Sequence, residues 1–199
     1  MAIRKSAIID SGYYFLTFTC YKWLPLFDIT DSFDLVYKWF DHLQEKGNRV
    51  MGYVIMPNHL HLLLAYRHSG KSLNTLVGNG KRFLAYGLVQ RLREGNNTQV
   101  LSLLQDGVNS SDRLRGKQHQ VFSDSFEVKQ CISRKFLLQK LEYIHNNPCS
   151  GKWRLATTRS EYEHSSALFY DAGKQRMFEV FSWMELEADG WWEQALLPS

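Results

Sequence analysis

Two strand-like runs separated by only two residues constrain this chain more than any other feature. Residues 50–56 and 59–66 are rich in apolar and β-branched types, and Pro57-Asn58 interrupts them. A gap that short leaves no room for a crossover, so the runs form a hairpin or a closely connected pair. The second run opens on His59-Leu60-His61. Strand side chains alternate between faces, so His59 and His61 point one way while Leu60, Leu62 and Leu64 point the other, toward helices behind the strand. Two imidazoles about 6–7 Å apart along a strand can converge on one ion. Taken alone, such a pair reads equally as two surface or hydrogen-bonded histidines.

The rest of the pattern builds around that pair of strands. Residues 13–21 are aromatic and β-branched and predict a first strand. Thr30 offers an N-cap for a helix in which Phe33, Val36, Phe40 and Leu43 recur, until Gly47 stops it. Ser72 caps a second helical pattern running to about Arg93, which Gly78, Gly80 and Gly87 weaken. Residues 95–118 are polar and turn-rich and are expected to be a long connection. Residues 119–122 suit a fourth strand. Residues 129–147 predict a third helix, ended by Pro148 because the residue before a proline is pushed out of the helical region.

This order predicts an α+β sandwich: an antiparallel sheet with helices packed mainly on one face, of the ferredoxin-like or RRM-like kind. With 199 residues, one domain over residues 1–171 is expected, followed by an acidic, Trp-containing appendage over residues 172–199. The appendage carries five acids against Lys174 and Arg176, a balance of −3 within an overall +4, which leaves residues 1–171 at +7. A basic body of that kind suits a polyanionic partner. No apolar run approaches the roughly 20 residues that span a bilayer. The three cysteines show no ligand spacing, so a cytoplasmic protein with reduced thiols is expected.

A second constellation lies at Tyr143-Ile144-His145-Asn146-Asn147-Pro148. Four residues along a helix advance about 400°, so Tyr143 and Asn147 lie within roughly 40° of each other on one face. The amide oxygen of Asn147 could reach a metal there, and the phenol of Tyr143 could be presented to the same place. The ordinary alternative is a core-edge tyrosine and a helix C-cap asparagine. His145, two residues from Tyr143, points about 200° away and is expected to face elsewhere. No role follows for His119 or His164.

Together, the run Met56-Pro57-Asn58-His59-Leu60-His61-Leu62 and the later Tyr143-Ile144 with Asn147-Pro148 resemble the single-tyrosine transposases of the HUH endonuclease superfamily. The similarity is to the REP-associated, IS200-like branch. It extends over about residues 10–170, through Trp23 and Phe27, Lys81-Arg82-Phe83, Gln120-Val121-Phe122 and Tyr162 to Ser166. The sequence departs from the pattern at Phe122, where Trp is common, and at Cys149-Ser150-Gly151-Lys152, where Val-Arg-Ala-Gly is usual. Neither departure touches a catalytic role.

The resemblance implies an HUH endonuclease fold, with His59, His61 and Asn147 ligating Mg²⁺ or Mn²⁺ and Tyr143 as nucleophile. It implies single-stranded or hairpin DNA as partner, action at the nucleoid in the cytoplasm, and either a monomer or a homodimer. Lys81, Arg82, Arg134, Lys135, Lys140, Lys152 and Arg154 are the candidate DNA contacts, being cations near the expected tyrosine helix. Neutral His, His and Asn ligands would leave the ion most of its charge for a scissile phosphate, and a phenol attacking it would leave a 5′-phosphotyrosine and a free 3′-hydroxyl. Two rivals stand beside this reading: a non-catalytic nucleic-acid-binding relative, and a metal-dependent hydrolase in which water attacks.

Overall fold

The computed structural model describes residues 8, 10–124, 126–151 and 153–191. Four strands, β1 (Gly12–Thr19), β2 (Arg49–Met56), β3 (His59–Tyr66) and β4 (Glu127–Gln130), form one sheet in the order β2-β3-β1-β4, all antiparallel. A short helix α1 (Leu26–Ile29) precedes α2 (Phe33–Glu45), and α3 (Leu73–Glu94) follows the hairpin. Two further helices, α4 (Thr98–Asp106) and α5 (Ser110–Leu114), lead toward β4. The chain then runs through α6 (Arg134–Asn146), α7 (Ala167–Ala172) and α8 (Trp183–Ala188).

The two-residue hairpin is present as the sequence predicts, with Met56 paired to His59 across the turn. Its turn is held from outside as well. Cys20 N–H donates to the Asn58 carbonyl at 2.8 Å, and Phe27 N–H donates to the Pro57 carbonyl at 3.0 Å. The start of β3 is therefore fixed by the end of β1 and by α1, with no dependence on the turn alone.

Both faces of the sheet are covered. Leu60, Leu62 and Leu64 join Leu16, Phe18, Tyr53 and Ile55 in a core against α2 and α3. Phe15, Met51, Val54, Leu63 and Ala65 join Leu137, Leu141 and Ile144 of α6 and Trp183 of α8 in a second core. The α+β antiparallel architecture is as expected, and its helices divide between the faces because β3 is apolar on both. A register shift between Val50 and Gly52 turns Tyr53 and Ile55 toward the first core.

Four local expectations need correction. Thr30 does not cap α2; its hydroxyl donates back to the Leu26 carbonyl at 2.6 Å, and α2 begins only after the buried Ser32. Residues 95–118 are not a bare connection. Asn97 accepts from Val100 N–H at 3.3 Å and Asn109 from Asp112 N–H at 2.9 Å, starting α4 and α5 where polar composition alone reads as loop. Leu104 of α4 is fully buried.

The fourth strand is residues 127–130, and from residues 119–122 only Phe122 bridges to the sheet, opposite Cys20. The third long helix accordingly begins at Arg134, capped by Ser133, whose hydroxyl accepts from Phe136 N–H at 3.3 Å. Glu127, Lys129 and Gln130 are exposed on a sheet edge and only Val128 packs toward the first core, so no run of apolar residues is needed to form the strand. The C-terminal segment supplies Phe178 and Val180 to the first core and Trp183, Leu186 and Trp191 to the second. Trp191 stacks on Tyr13 at 5.8 Å between ring centroids. Trp192 lies outside the described residues.

Candidate active site

His59 and His61 leave β3 on the face covered by α6, and both are buried, at 8% and 5% exposure. Their rings lie 4.7 Å apart, centroid to centroid. Asn147, immediately after α6, reaches between them: its Oδ1 lies 3.2 Å from His59 Nε2 and its Nδ2 lies 3.3 Å from His61 Nε2. Tyr143 is one turn earlier on α6. Its ring meets that of His61 edge-on at 5.0 Å and that of Phe15 at 6.0 Å, and it is 49% exposed. The α6 that carries Tyr143 packs on the sheet that carries the histidines.

Asn58 decides which nitrogen of His59 is available. Its amide nitrogen donates to the Trp23 carbonyl at 3.1 Å, which turns its oxygen toward His59 Nδ1 at 2.7 Å. An amide oxygen can only accept, so the imidazole proton sits on Nδ1 and Nε2 presents a lone pair. Burial pushes the pKa of His59 down to about 4, partly opposed by the Asn147 contact. Burial also pushes His61 down to about 3, helped by His59 and by the Lys140 charge. Both rings are therefore neutral near pH 7, the form in which imidazole ligates.

These residues fit a hard divalent cation. The His59 Nε2 lone pair faces an amide oxygen lone pair at 3.2 Å with no proton to share. A cation between them or a turn of the Asn147 amide would relieve that repulsion; as placed, the Asn147 amide nitrogen donates to His61 Nε2. Cis donors around an octahedral Mg²⁺ lie about 3 Å apart, from bond lengths of roughly 2.1 Å. The second nitrogen of His61, Nδ1, is buried without a hydrogen-bond partner among the described residues. Its ring is held instead by stacking on Phe15 at 5.5 Å.

One solved structure aligns over 92% of this chain and 93% of its own, with a TM-score of 0.57 and 12% identity: a REP-associated tyrosine transposase bound to a REP hairpin. The fold is that of a REP-associated tyrosine transposase. A candidate transposase of Deinococcus radiodurans R1 aligns over 73% of this chain and 97% of its own, at 16% identity and a TM-score of 0.36, a likeness too loose to argue from. No protein-family model and no curated protein matches the sequence. Among the described residues, no helix is long and apolar enough to cross a membrane.

On this fold the cations named from the sequence separate into groups. Lys140 is at the site, its ammonium 4.5 Å from the Phe15 ring centroid and 5.5 Å from that of Tyr143. Arg134 lies over Trp183 at 4.4 Å, and Lys135 borders a cavity on the far side of α6. Lys81 donates to the Ser123 carbonyl at 2.8 Å and Arg82 to Asn79 Oδ1 at 2.6 Å, both on α3 and on the opposite face of the sheet. Arg154 is exposed, and Lys152 lies outside the described residues.

His145 faces away from Tyr143, as its helical position predicts, and shares a hydrogen bond with the Ser166 hydroxyl at 2.9 Å. Asn58 and Phe15 are the functional neighbours that sequence reasoning passed over. The signal for Asn58 was its place before His59 in a tight turn. Phe15 had none beyond membership of an aromatic strand.

Proposed function

We propose that the chain is a metal-dependent single-stranded DNA strand transferase that cleaves and rejoins through Tyr143. The observation that carries this reading is the convergence of His59 Nε2, His61 Nε2 and the Asn147 amide beside a half-exposed tyrosine one helical turn away. Single-stranded or hairpin DNA in the cytoplasm is the proposed substrate, and the similar solved transposase is itself bound to a hairpin.

In this mechanism His59, His61 and Asn147 would hold Mg²⁺ or Mn²⁺. The bound ion would neutralise charge on a non-bridging phosphate oxygen and position the scissile phosphate. The remaining work belongs to the chain. Asn58 keeps the His59 proton on Nδ1. Phe15 and Leu141 keep the tyrosine helix against the sheet. Lys140 places a positive charge beside the Tyr143 ring, where a phenolate and a phosphate would each be stabilised.

Tyr143 Oη attacks the phosphorus as its proton departs. The bond from phosphorus to the 3′-oxygen breaks, and that oxygen takes up a proton to leave as a hydroxyl. The 5′-phosphotyrosine conserves the bond energy, so attack by another 3′-hydroxyl rejoins DNA without ATP.

Incubation with labelled hairpin-bearing single-stranded DNA and Mn²⁺, followed by denaturing gel electrophoresis, tests this. A protein–DNA adduct that disappears in Tyr143→Phe is the expected result. Cleavage that persists in Tyr143→Phe would overturn the tyrosine mechanism in favour of attack by water.

A further inference from the structure

Two residues after Tyr143 and two before Asn147, His145 leaves α6 on a different side and is buried, at 2% exposure. With Tyr143 taken as zero, Asn147 stands at about 40° round the helix, Ile144, Leu137 and Leu141 at about 100–160°, and His145 at about 200°. The apolar stripe that packs on the sheet is therefore flanked by Tyr143 and Asn147 on one margin and by His145 on the other.

That second margin is tied to a strand. His145 Nε2 shares a hydrogen bond with the Ser166 hydroxyl at 2.9 Å. The same hydroxyl oxygen accepts from Tyr53 N–H at 2.9 Å, and Ser166 N–H donates to the Tyr53 carbonyl at 3.1 Å. Tyr53 lies in β2, the edge strand whose next residue, Val54, pairs with His61. Residues 164–166 line the free side of that strand: Ile55 N–H donates to the His164 carbonyl at 2.9 Å, and Ser165 bridges to Val54. His145 and Ser166 are both buried, so water does not compete for the link. Gly52 lets the helix come this close, since a Cβ there would lie 2.6 Å from Leu141 Cδ1.

Apolar contacts are non-directional and leave a helix free to roll slightly on its sheet. A roll of about 10° carries a group about 6 Å from the helix axis through about 1 Å. A misplacement of that size can cost about 100-fold in a reaction that depends on aligned groups. A directional bond on the margin opposite Tyr143 removes that freedom. The other polar tie on this turn of α6, from Arg159 to Glu142, stands partly in water and holds weakly.

We infer that His145 is a positioning residue for strand transfer: through Ser166 and the β2 backbone it sets the roll of α6, and so places Asn147 and Tyr143 against His59 and His61. This role rests on the strand-transferase reading above. Both halves of the site are thereby referenced to one strand, since β2 pairs directly with the strand that carries the histidines and holds α6 through Ser166. His145 itself is directed at Ser166 and at the Tyr170 ring, 5.2 Å away between centroids, and it acts on the reacting groups only through the helix.

The test compares His145→Leu, which fills much of the space and removes the bond, His145→Gln, whose amide can stand in for Nε2, and Ser166→Ala, which removes the link from its other end. Each is measured for single-turnover adduct formation on labelled hairpin-bearing single-stranded DNA with Mn²⁺, for Mn²⁺ affinity by titration calorimetry, and for melting temperature. His145→Leu and Ser166→Ala are expected to slow adduct formation per folded molecule and to weaken Mn²⁺ binding, each by about 10- to 100-fold. His145→Gln is expected to keep most of the parent rate. The double variant, His145→Leu with Ser166→Ala, is expected to be no slower than the slower single variant, because both act through one link. Ser166→Ala carries the test by itself where His145→Leu does not fold.

Parent rates and Mn²⁺ affinities in His145→Leu and Ser166→Ala, with only the melting temperature lowered, would make the link purely structural. That result would overturn the positioning role and leave the enzyme reading standing. Losses that multiply in the double variant would overturn it too, since the two side chains would then act separately. Absence of any adduct in the parent protein would overturn the enzyme reading and the role of His145 with it.

Discussion

Asn58 Oδ1 lies 2.7 Å from Nδ1 of His59, its neighbour in sequence, and fixes the tautomer of that histidine. The amide that does this is itself held by the Trp23 carbonyl, so the available lone pair on His59 depends on a contact between the hairpin turn and the chain after β1.

Asn58→Ala should therefore loosen metal binding without unfolding the protein. The expected loss is about 10- to 100-fold in Mn²⁺ affinity, the usual effect of removing a partner behind a ligand. Isothermal titration would measure it, and an affinity equal to that of the parent would show that the ring is oriented some other way.

Two glycines on α3 should respond in opposite directions. A Cβ at Gly80 would lie 2.3 Å from the buried indole of Trp39, whereas one at Gly78 would meet nothing within 4 Å. Gly78→Ala should stabilise by up to about 1 kcal/mol through helix propensity. Gly80→Ala should destabilise by about 1–2 kcal/mol, because overpacking exceeds that gain. Urea unfolding of both variants checks the pair.

His164 predicts an acid-sensitive element. Its Nδ1 hydrogen-bonds the Tyr37 hydroxyl at 2.9 Å, its ring stacks on Phe33 at 3.7 Å, and burial lowers its pKa. A folded-state pKa below the unfolded value of about 6.5 means that the fold prefers the neutral ring. That contribution is complete above about pH 6.5 and is lost as pH falls below it. The melting temperature should fall on acidification, and less steeply in His164→Gln.

Trp183 should behave as a core residue despite its place near the acidic C-terminal end. It is 4% exposed and packs in the second core beneath Arg134. Trp183→Ala is expected to cost about 3–5 kcal/mol, measured by urea unfolding, and Trp183→Phe much less. A melting curve unchanged by Trp183→Ala would mean that Trp183 adds nothing to the second core.

The legible parts of this chain were those governed by local rules. The β2–β3 hairpin followed from a gap too short for any crossover. The facing of Leu60, Leu62 and Leu64 away from His59 and His61 followed from strand alternation. The span of α3 followed from Ser72, whose hydroxyl accepts from Thr75 N–H as a cap does. Helices α4 and α5 were missed because their asparagine caps sit in a polar stretch whose few apolar residues resemble loop. The edge strand β4 was misplaced because an exposed, paired strand needs no hydrophobic pattern.

The sequence by itself determined the site's cast: two histidines on one strand face, and a tyrosine and an asparagine on one helix face. Strand and helix periodicity are local properties of the backbone, so spacing alone fixes them. Only the tertiary structure decided that α6 packs on the face bearing the histidines, which closes Asn147 to 3.2 and 3.3 Å from the two imidazoles. That choice depends on the apolar fit of Phe15, Val54 and Leu63 with Leu137, Leu141 and Ile144, residues distant in sequence whose meeting no local rule encodes. The same holds for the tautomer of His59 and for the link from His145 to β2, each set by contacts between segments far apart along the chain.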